Sequence, residues 1–342
     1  MKQFRVGLIG CGAISHVHLR ALNELPFTKL TAVCDIREER AKAAAQQFDC
    51  RPYTDYKLML EQESLDAVHI CTPHYLHSEM TIFAAGKGLH VLTEKPMSVS
   101  LQQADDMIRA CKESRVSLGV IFQNRYNAGS VMVKETLESG ELGRILSARL
   151  RVHWYRSDEY YSSSDWKGTW DKEGGGVMIN QAIHTMDLLR WLIDSPIEYV
   201  DANISNRFHP GIEVEDCAEG VVKYKNGVIT IFHAVNYYSF DSPVEIEIHC
   251  ENGLVRMISD QAVIKFNDGR EMKADRKPCE KPDPDSPAKD YWGLSHTEQI
   301  RDYYLSLQKG EKPFIDGEEG RKTQALICAL YQSGRQKEKV YL

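Results

Sequence analysis

Residues Phe4–Ser15 read FRVGLIGCGAIS, an apolar run from Phe4 to Ile9 delivered into a glycine turn. Beyond it Val17, Leu19, Ala21, Leu22 and Leu25 recur with helical periodicity, so the segment predicts strand, tight turn, helix. In that setting Gly10, Gly12, Ala13, Ile14 and Ser15 form a dinucleotide fingerprint of the G-x-G-x-x-G/A kind, with Ser15 at the third glycine position. Gly10 permits the turn, and Gly12 removes a side chain where a pyrophosphate must approach. The free N–H groups at the helix start face its charge. The next strand, Leu30 to Cys34, ends at Asp35, where an acid accepts from the adenosine ribose hydroxyls and repels a 2′-phosphate. NAD is expected over NADP, a preference that Arg37 softens. Asp35 equally suits the N-cap of a helix from Arg37 to Phe48.

The alternation continues with strands at Ala67–Cys71, Leu89–Thr93 and Ser117–Phe122 and helices at Ser78–Gly86 and Leu101–Ser114. Repeated βα units predict a parallel sheet covered on both faces, with ligands at the carboxyl ends of its strands. Two stretches fall at that edge, Thr72-Pro73-His74-Tyr75-Leu76-His77 and Thr93-Glu94-Lys95-Pro96. Lys95 follows an apolar strand and precedes a proline, which holds its backbone in extended or turn geometry. A partly buried lysine beside a nicotinamide can exchange a proton with a substrate hydroxyl; a solvated lysine paired with Glu94 fits the pattern as well.

A second informative stretch is GGGVMINQAIHTMDLLRWL, Gly174–Leu192. Three glycines feed a predicted helix in which Asn180, His184 and Asp187 share one face at spacings of four and three. Met178, Ile179, Ile183, Leu188, Leu189 and Leu192 supply the apolar stripe. Before it, Tyr155–Asp171 shows no steady period and carries Arg156, Tyr160, Trp166, Lys167 and Trp170. A loop of that length reads as a substrate or cofactor lid built on Tyr155, Trp166 and Trp170, or as loop anchors. After it, Asn226-Gly227 and Asn252-Gly253 mark hairpins between strands at Asp216–Tyr224, Val228–Val235, Val244–Cys250 and Leu254–Ile258. Arg144–Trp154 is a further long strand and Val131–Ser139 a helix. The polar stretch Asp268–Asp290 is too hydrophilic for core, and helices at Thr297–Leu307 and Gly317–Gln336 complete the chain.

Composition bounds the partners. The 342 residues carry a formal net charge of -7, which argues against nucleic acid and anionic membrane. Nine cysteines are scattered without a C-x-x-C pair, the pattern of free thiols in a reducing, cytoplasmic compartment. Leu8-Ile9-Gly10-Cys11 resembles a lipoprotein cleavage box, but its apolar run is too short for a signal segment and reads as a strand. Asn180, His184 and Asp187 make a poor metal set, so no metal is expected.

Gly10-Cys11-Gly12-Ala13-Ile14 with His18, Asp35, Thr72-Pro73 with His77, Glu94-Lys95-Pro96, Asn124-Arg125-Tyr126, and Gly174-Gly175-Gly176 with His184 and Asp187 resemble, in this order and spacing, the Gfo/Idh/MocA oxidoreductase family. The resemblance spans essentially the whole chain. It implies an α/β protein with an N-terminal Rossmann domain over residues 1–122. Residues 123–342 are then a C-terminal α/β domain with a large, open, mostly antiparallel sheet that mediates homodimers or homotetramers, its last helices free to pack back on the first domain. It implies hydride transfer between NAD and a hydroxyl carbon of a sugar, a sugar derivative such as a nucleotide sugar, or a cyclic polyol. Lys95 and His184 match the family's catalytic positions. Gly10, Gly12, Ala13, Ile14, Asp35, Arg37, Thr72, Pro73, His74, His77, Glu94, Lys95 and Arg125 are expected at the cofactor, and Asn180, Tyr155, Trp166, Trp170 and Asp187 at the substrate. Inositol dehydrogenase-like members carry Asp where Asn180 stands, and an amide cannot relay a proton. Asn180 is therefore assigned to substrate binding or His184 orientation. Redox-assisted glycoside cleavage or lyase chemistry, and a non-catalytic nucleotide-binding regulator, are the alternatives within the resemblance.

Overall fold

A computed structural model describes residues 2–274 and 295–342. The chain divides into two compact units, the first built from residues up to Gln123 and a later segment ending at Gln324, the second from a segment starting at Asn124 and from Ala325–Leu342. The segment ending at Gln324 thus joins the first unit instead of continuing the second.

The first unit alternates β1 (Phe4–Ile9), α1 (Ser15–Glu24), β2 (Thr28–Cys34), α2 (Glu38–Phe48), β3 (Arg51–Tyr53), α3 (Tyr56–Gln62), β4 (Ala67–Ile70), α4 (His77–Gly86), β5 (His90–Thr93), α5 (Leu101–Glu113) and β6 (Leu118–Val120). Its six strands lie in the order β3-β2-β1-β4-β5-β6, all parallel. This is the doubly wound arrangement, whose order reverses between β1 and β4. Strands β4 and β6 are buried along their whole length, as expected of a parallel sheet covered by helices on both faces. Local caps punctuate the helices: Asp55 accepts from Lys57 N–H at the start of α3, and Ser100 from Gln103 N–H at the start of α5.

The second unit contains α6 (Ala128–Glu138), β7 (Ile145–His153), α7 (Asp158–Ser162), α8 (Ile183–Ile193), β8 (Ile197–Ser205), β9 (Cys217–Tyr224), β10 (Ile229–Val235), β11 (Glu245–Cys250), β12 (Gly253–Ile258), β13 (Gln261–Phe266) and β14 (Glu271–Ala274). Then follow α9 (His296–Lys309), which belongs to the first unit, α10 (Gly317–Gln336), within which the division falls, and β15 (Val340–Tyr341). The nine-stranded sheet runs β14-β13-β12-β11-β7-β10-β9-β8-β15 and is antiparallel except for the β7–β10 pair. Both Asn-Gly pairs lie in hairpin turns, between β9 and β10 and between β11 and β12. Strands β3, β8, β13, β14 and β15 and the short helices α3 and α7 lie outside the sequence expectations. β14 occupies 271–274 at the start of the polar stretch, where an edge strand needs no apolar face; residues 275–290 of that stretch lie outside the described residues. The eight described cysteines are free thiols. Among the described residues no helix is long and apolar enough to cross a membrane.

Candidate active site

In the first unit the glycine turn joins β1 to α1. Gly10 has φ +94, and a Cβ there would meet the Cys71 carbonyl oxygen at 2.6 Å, so packing and backbone both demand glycine. Gly12 differs: a Cβ would meet nothing within 4 Å. No protein neighbour explains its missing side chain, whereas a pyrophosphate laid over the uncapped start of α1 would occupy that space. Asp35 latches the turn, its Oδ2 accepting Cys11 N–H at 2.8 Å and its Oδ1 accepting Arg37 N–H at 2.9 Å. It does not cap α2, which opens at Glu38 after Arg37 with no side-chain cap. Ile36, beside it, is 89% exposed, an apolar face next to this carboxylate. Ile36 was missed from the sequence, although a lone apolar residue just after the acid that follows β2 is a usable signal. Ala13 and Arg37 are exposed and Ile14 half-buried along the same edge. These residues fit a dinucleotide.

The loops after β4 and β5 meet through His77. Its Nδ1 lies 2.8 Å from the Pro96 carbonyl oxygen and its Nε2 2.8 Å from that of Thr72, and the ring is fully buried. His77, expected at the cofactor, thus ties together the backbones of Thr72-Pro73 and Lys95-Pro96, the latter joined by a cis peptide bond. His74 is also buried, while Thr72 and Pro73 are half-buried. Lys95 is half-buried, and its N–H donates to Glu94 Oε2 at 3.2 Å. Glu94 turns inward, its Oε1 2.9 Å from His18 Nε2 and 3.4 Å from His296 Nε2. Burial pushes this carboxyl up, but hydrogen bonds from His18 and His296 outweigh burial and hold it well below the usual carboxylate range. His296 on α9, His69 and Tyr304 were all missed from the sequence, because nothing local links α9 to the glycine turn.

In the second unit the triple glycine enters α8 under crowding. A Cβ on Gly175 would meet Tyr331 Oη at 2.1 Å, and one on Gly176 the Glu215 carbonyl oxygen at 1.9 Å. Glu215 replaces the missing helix cap: its Oε2 accepts Gly176 N–H at 2.9 Å and its Oε1 accepts Met178 N–H at 3.0 Å and the Tyr331 hydroxyl at 2.8 Å. Tyr331 Oη in turn accepts Ile179 N–H. Met178–Ala182 therefore winds as a π-helical turn before α8 begins at Ile183. This corrects the uniform helix expected across Gly174–Leu192: backbone donors at its start are drawn off by Glu215 and Tyr331.

Asn180 and His184 are half-buried, but Asp187 is 1% exposed and forms a bidentate pair with Arg125, Nε to Oδ2 at 2.8 Å and Nη2 to Oδ1 at 2.6 Å. The arginine expected at the cofactor and the aspartate expected at the substrate are placed as each other's partners. Asn180 Nδ2 donates to Glu173 Oε1 at 2.6 Å and to Tyr160 Oη at 3.2 Å. Glu173 Oε2 accepts Gly168 N–H. Burial, partly offset by these donors, pushes Glu173 up to about 7, and Glu215, for the same leading reason, also to about 7. Glu173 immediately precedes the glycines and was legible as a candidate; Glu215 and Tyr331 come from β9's approach and α10 and carried no local signal. Trp170 Nε1 donates to the Glu213 carbonyl at 2.9 Å and its ring stacks under Arg335 at 4.1 Å, the behaviour of a loop anchor. Trp166 is half-buried and Tyr155 exposed. Among the described residues, metal-ligating atoms gather within 4.8 Å at His18, Glu94 and His296 and at Cys217, Glu219 and His233.

Residues 4–122 match the model of an oxidoreductase family with an NAD-binding Rossmann fold, and residues 131–256 match a GFO/IDH/MocA C-terminal domain. The chain is 31% identical to a solved WlbA dehydrogenase from Bordetella pertussis, in complex with NADH and UDP-GlcNAcA, over 100% of this chain and 99% of that one, with a TM-score of 0.85. It is 25% identical to myo-inositol 2-dehydrogenase of Thermotoga maritima over 99% of this chain and 98% of that protein. It is 27% identical to D-apiose dehydrogenase of Paraburkholderia graminis over 100% of this chain and 90% of that protein. With both sheets and the glycine turn in place, the chain belongs to the Gfo/Idh/MocA family of NAD-binding oxidoreductases.

Proposed function

We propose that this protein is an NAD-dependent dehydrogenase of a sugar derivative, with a nucleotide-linked sugar acid as its substrate class and Lys95 and His184 as its proton-handling groups. The observation that carries the cofactor half is the open space at Gly12 beside the Asp35-latched turn. The substrate half is supported by 31% identity, end to end, with an enzyme solved with UDP-GlcNAcA, against 25% and 27% for the inositol and apiose dehydrogenases.

NAD, when bound, supplies the hydride acceptor. The residues do the rest. Asp35 and the turn at Gly10–Gly12 hold the adenosine and pyrophosphate ends. Lys95 donates a hydrogen bond to the substrate hydroxyl oxygen and steadies negative charge on it, and His184 takes the proton as the carbinol is oxidised. Asn180, its amide N–H groups committed to Glu173 and Tyr160, orients substrate without moving a proton. Two copies of the chain pair through the exposed face of the large sheet, where Ile229, Ile231 and Ile258 are 40%, 60% and 41% exposed.

A screen of NAD reduction over free polyols, aldoses, sugar acids and UDP-linked sugars tests the assignment. A response confined to UDP-linked sugar acids is expected; a response confined to free polyols overturns the substrate class. His184→Ala is expected to lower turnover by roughly 10²–10⁴-fold while NAD affinity by calorimetry stays within a factor of about two. Unchanged turnover removes His184 from the chemistry.

A further inference from the structure

Beneath the ligand edge, the first unit buries an unbroken run of polar side chains: Tyr304 on α9, His69 on β4, His18 on α1, and Glu94 at the end of β5. The first three are fully buried and Glu94 is 4% exposed. Tyr304 Oη lies 2.9 Å from His69 Nε2, His69 Nδ1 lies 2.8 Å from His18 Nδ1, and His18 Nε2 lies 2.9 Å from Glu94 Oε1. Each contact has hydrogen-bond length, so each holds one proton.

The positions of those protons follow from one end. An ionised carboxylate only accepts, so His18 Nε2 is an N–H. In a neutral ring its Nδ1 is then a lone pair. His69 Nδ1 must therefore be an N–H, its Nε2 a lone pair, and the Tyr304 hydroxyl the donor to it. The chain closes with no proton missing or in excess. Burial favours neutral imidazoles here, lowering His18 against the pull of Glu94 and holding His69 well below its ordinary value.

We infer that Tyr304, His69 and His18 form a one-directional hydrogen-bond chain that holds Glu94 as an ionised, oriented acceptor, which makes Tyr304 a positioning residue for the NAD site. The chain rests on the reading of Glu94 as part of that site. Its logic is all-or-none. One proton added at Glu94 Oε1 turns that oxygen into the donor to His18 Nε2, so His18 must donate through Nδ1, and His69 through Nε2 to the Tyr304 oxygen. Both rings change tautomer together, and neither change can occur alone without placing two lone pairs or two N–H groups face to face. The other titratable groups acting on Glu94 or feeling its charge are His296, Cys71 and His77, with Lys95 next in sequence. A metal ion held by His18, Glu94 and His296 is a different occupant of the same atoms. Tetrahedral bonds of about 2.0–2.1 Å put ligand atoms roughly 3.3 Å apart, so the 2.9 Å contact would have to open.

The test is nitrogen-15 NMR of histidine-ring-labelled full-length protein at neutral pH, which separates N–H from lone-pair ring nitrogens. His18 is expected as the neutral Nε2–H form and His69 as the neutral Nδ1–H form. Either ring in the other tautomer, either ring as imidazolium, or a metal-shifted spectrum reversed by a chelator overturns the chain. Tyr304→Phe removes the far donor without touching Glu94, and NAD affinity is expected to fall about fivefold, the size of one hydrogen bond, with a change at the His69 Nε2 signal. Wild-type affinity in a folded Tyr304→Phe protein overturns the positioning role. Wild-type protein that shows the expected tautomers but binds no NAD by calorimetry defeats the NAD reading and leaves the hydrogen-bond chain standing.

Discussion

Glu94 in the first unit and Glu215 in the second are both buried, both beside a turn that leads to candidate site residues, and both in contact with three donors. They nonetheless titrate on opposite sides of the ordinary carboxylate range, Glu94 well below it and Glu215 at about 7. Burial opposes ionisation in each. The difference is the partner: at Glu94 the hydrogen bonds from the His18 and His296 rings outweigh burial, whereas at Glu215 burial outweighs two peptide N–H groups and a tyrosine hydroxyl. One carboxylate is therefore held ionised beside His18 and His296, and the other serves as an anchor for the start of α8.

The largest effect of neutralising either carboxylate is expected at Glu94. Glu94→Gln turns an amide N–H toward donors and leaves a buried network short of its acceptor, with an expected loss of about 3–5 kcal/mol near pH 7 in denaturant titrations. Glu94 has a depressed folded pKa, so its stabilisation is present above the unfolded value of 4.5 and disappears as pH falls through the folded value. The cost of Glu94→Gln should shrink on acidification; a cost that grows instead refutes the ionised assignment.

Glu215→Gln should show the reverse dependence. At pH 5 the wild-type carboxyl is neutral, and an amide opposite Met178 N–H and the Tyr331 hydroxyl, or opposite Gly176 N–H, is expected to cost about 1–3 kcal/mol. With a folded value near 7 against 4.5 unfolded, the stability contributed by Glu215 is complete below 4.5 and is lost as pH rises to 7. The gap between wild type and variant therefore narrows by pH 8. Parallel pH profiles for the two variants would erase the contrast.

The smallest effect is expected at Asn180. Asn180→Asp sets a second carboxylate against Glu173 across a 2.6 Å contact, and the two must share a proton. An expected penalty of about 1.4 kcal/mol for each unit of pKa displacement appears at pH 8 and fades by pH 5. Equal stability of the variant and wild type across that range would mean that Glu173 does not face position 180.

The first unit was legible except for β3 and α3, since fingerprint, strand and acid follow one another within a short stretch and each reports its neighbour. Gly10 and Gly12 look alike in the sequence, but packing requires glycine only at Gly10. In the second unit the hairpins at Asn226-Gly227 and Asn252-Gly253 announced themselves, while β8 and β13 did not, because their alternation carries no turn signal as strong as Asn-Gly. Helix spacing put Asn180, His184 and Asp187 on one face, yet Asp187 is turned to Arg125 and the π-turn alters the register before His184.

Local pattern by itself determined the two-unit α/β plan, the dinucleotide turn, the preference for an acid at Asp35, and Lys95 and His184 as the groups to examine. These depend on residues adjacent in the chain or one helical turn apart. Only the tertiary structure decided which buried groups carry charge. His69, Tyr304, Glu215 and Tyr331 meet their partners across 37 to 235 residues of chain, and the free energy of a buried proton depends on what stands within hydrogen-bond reach in space.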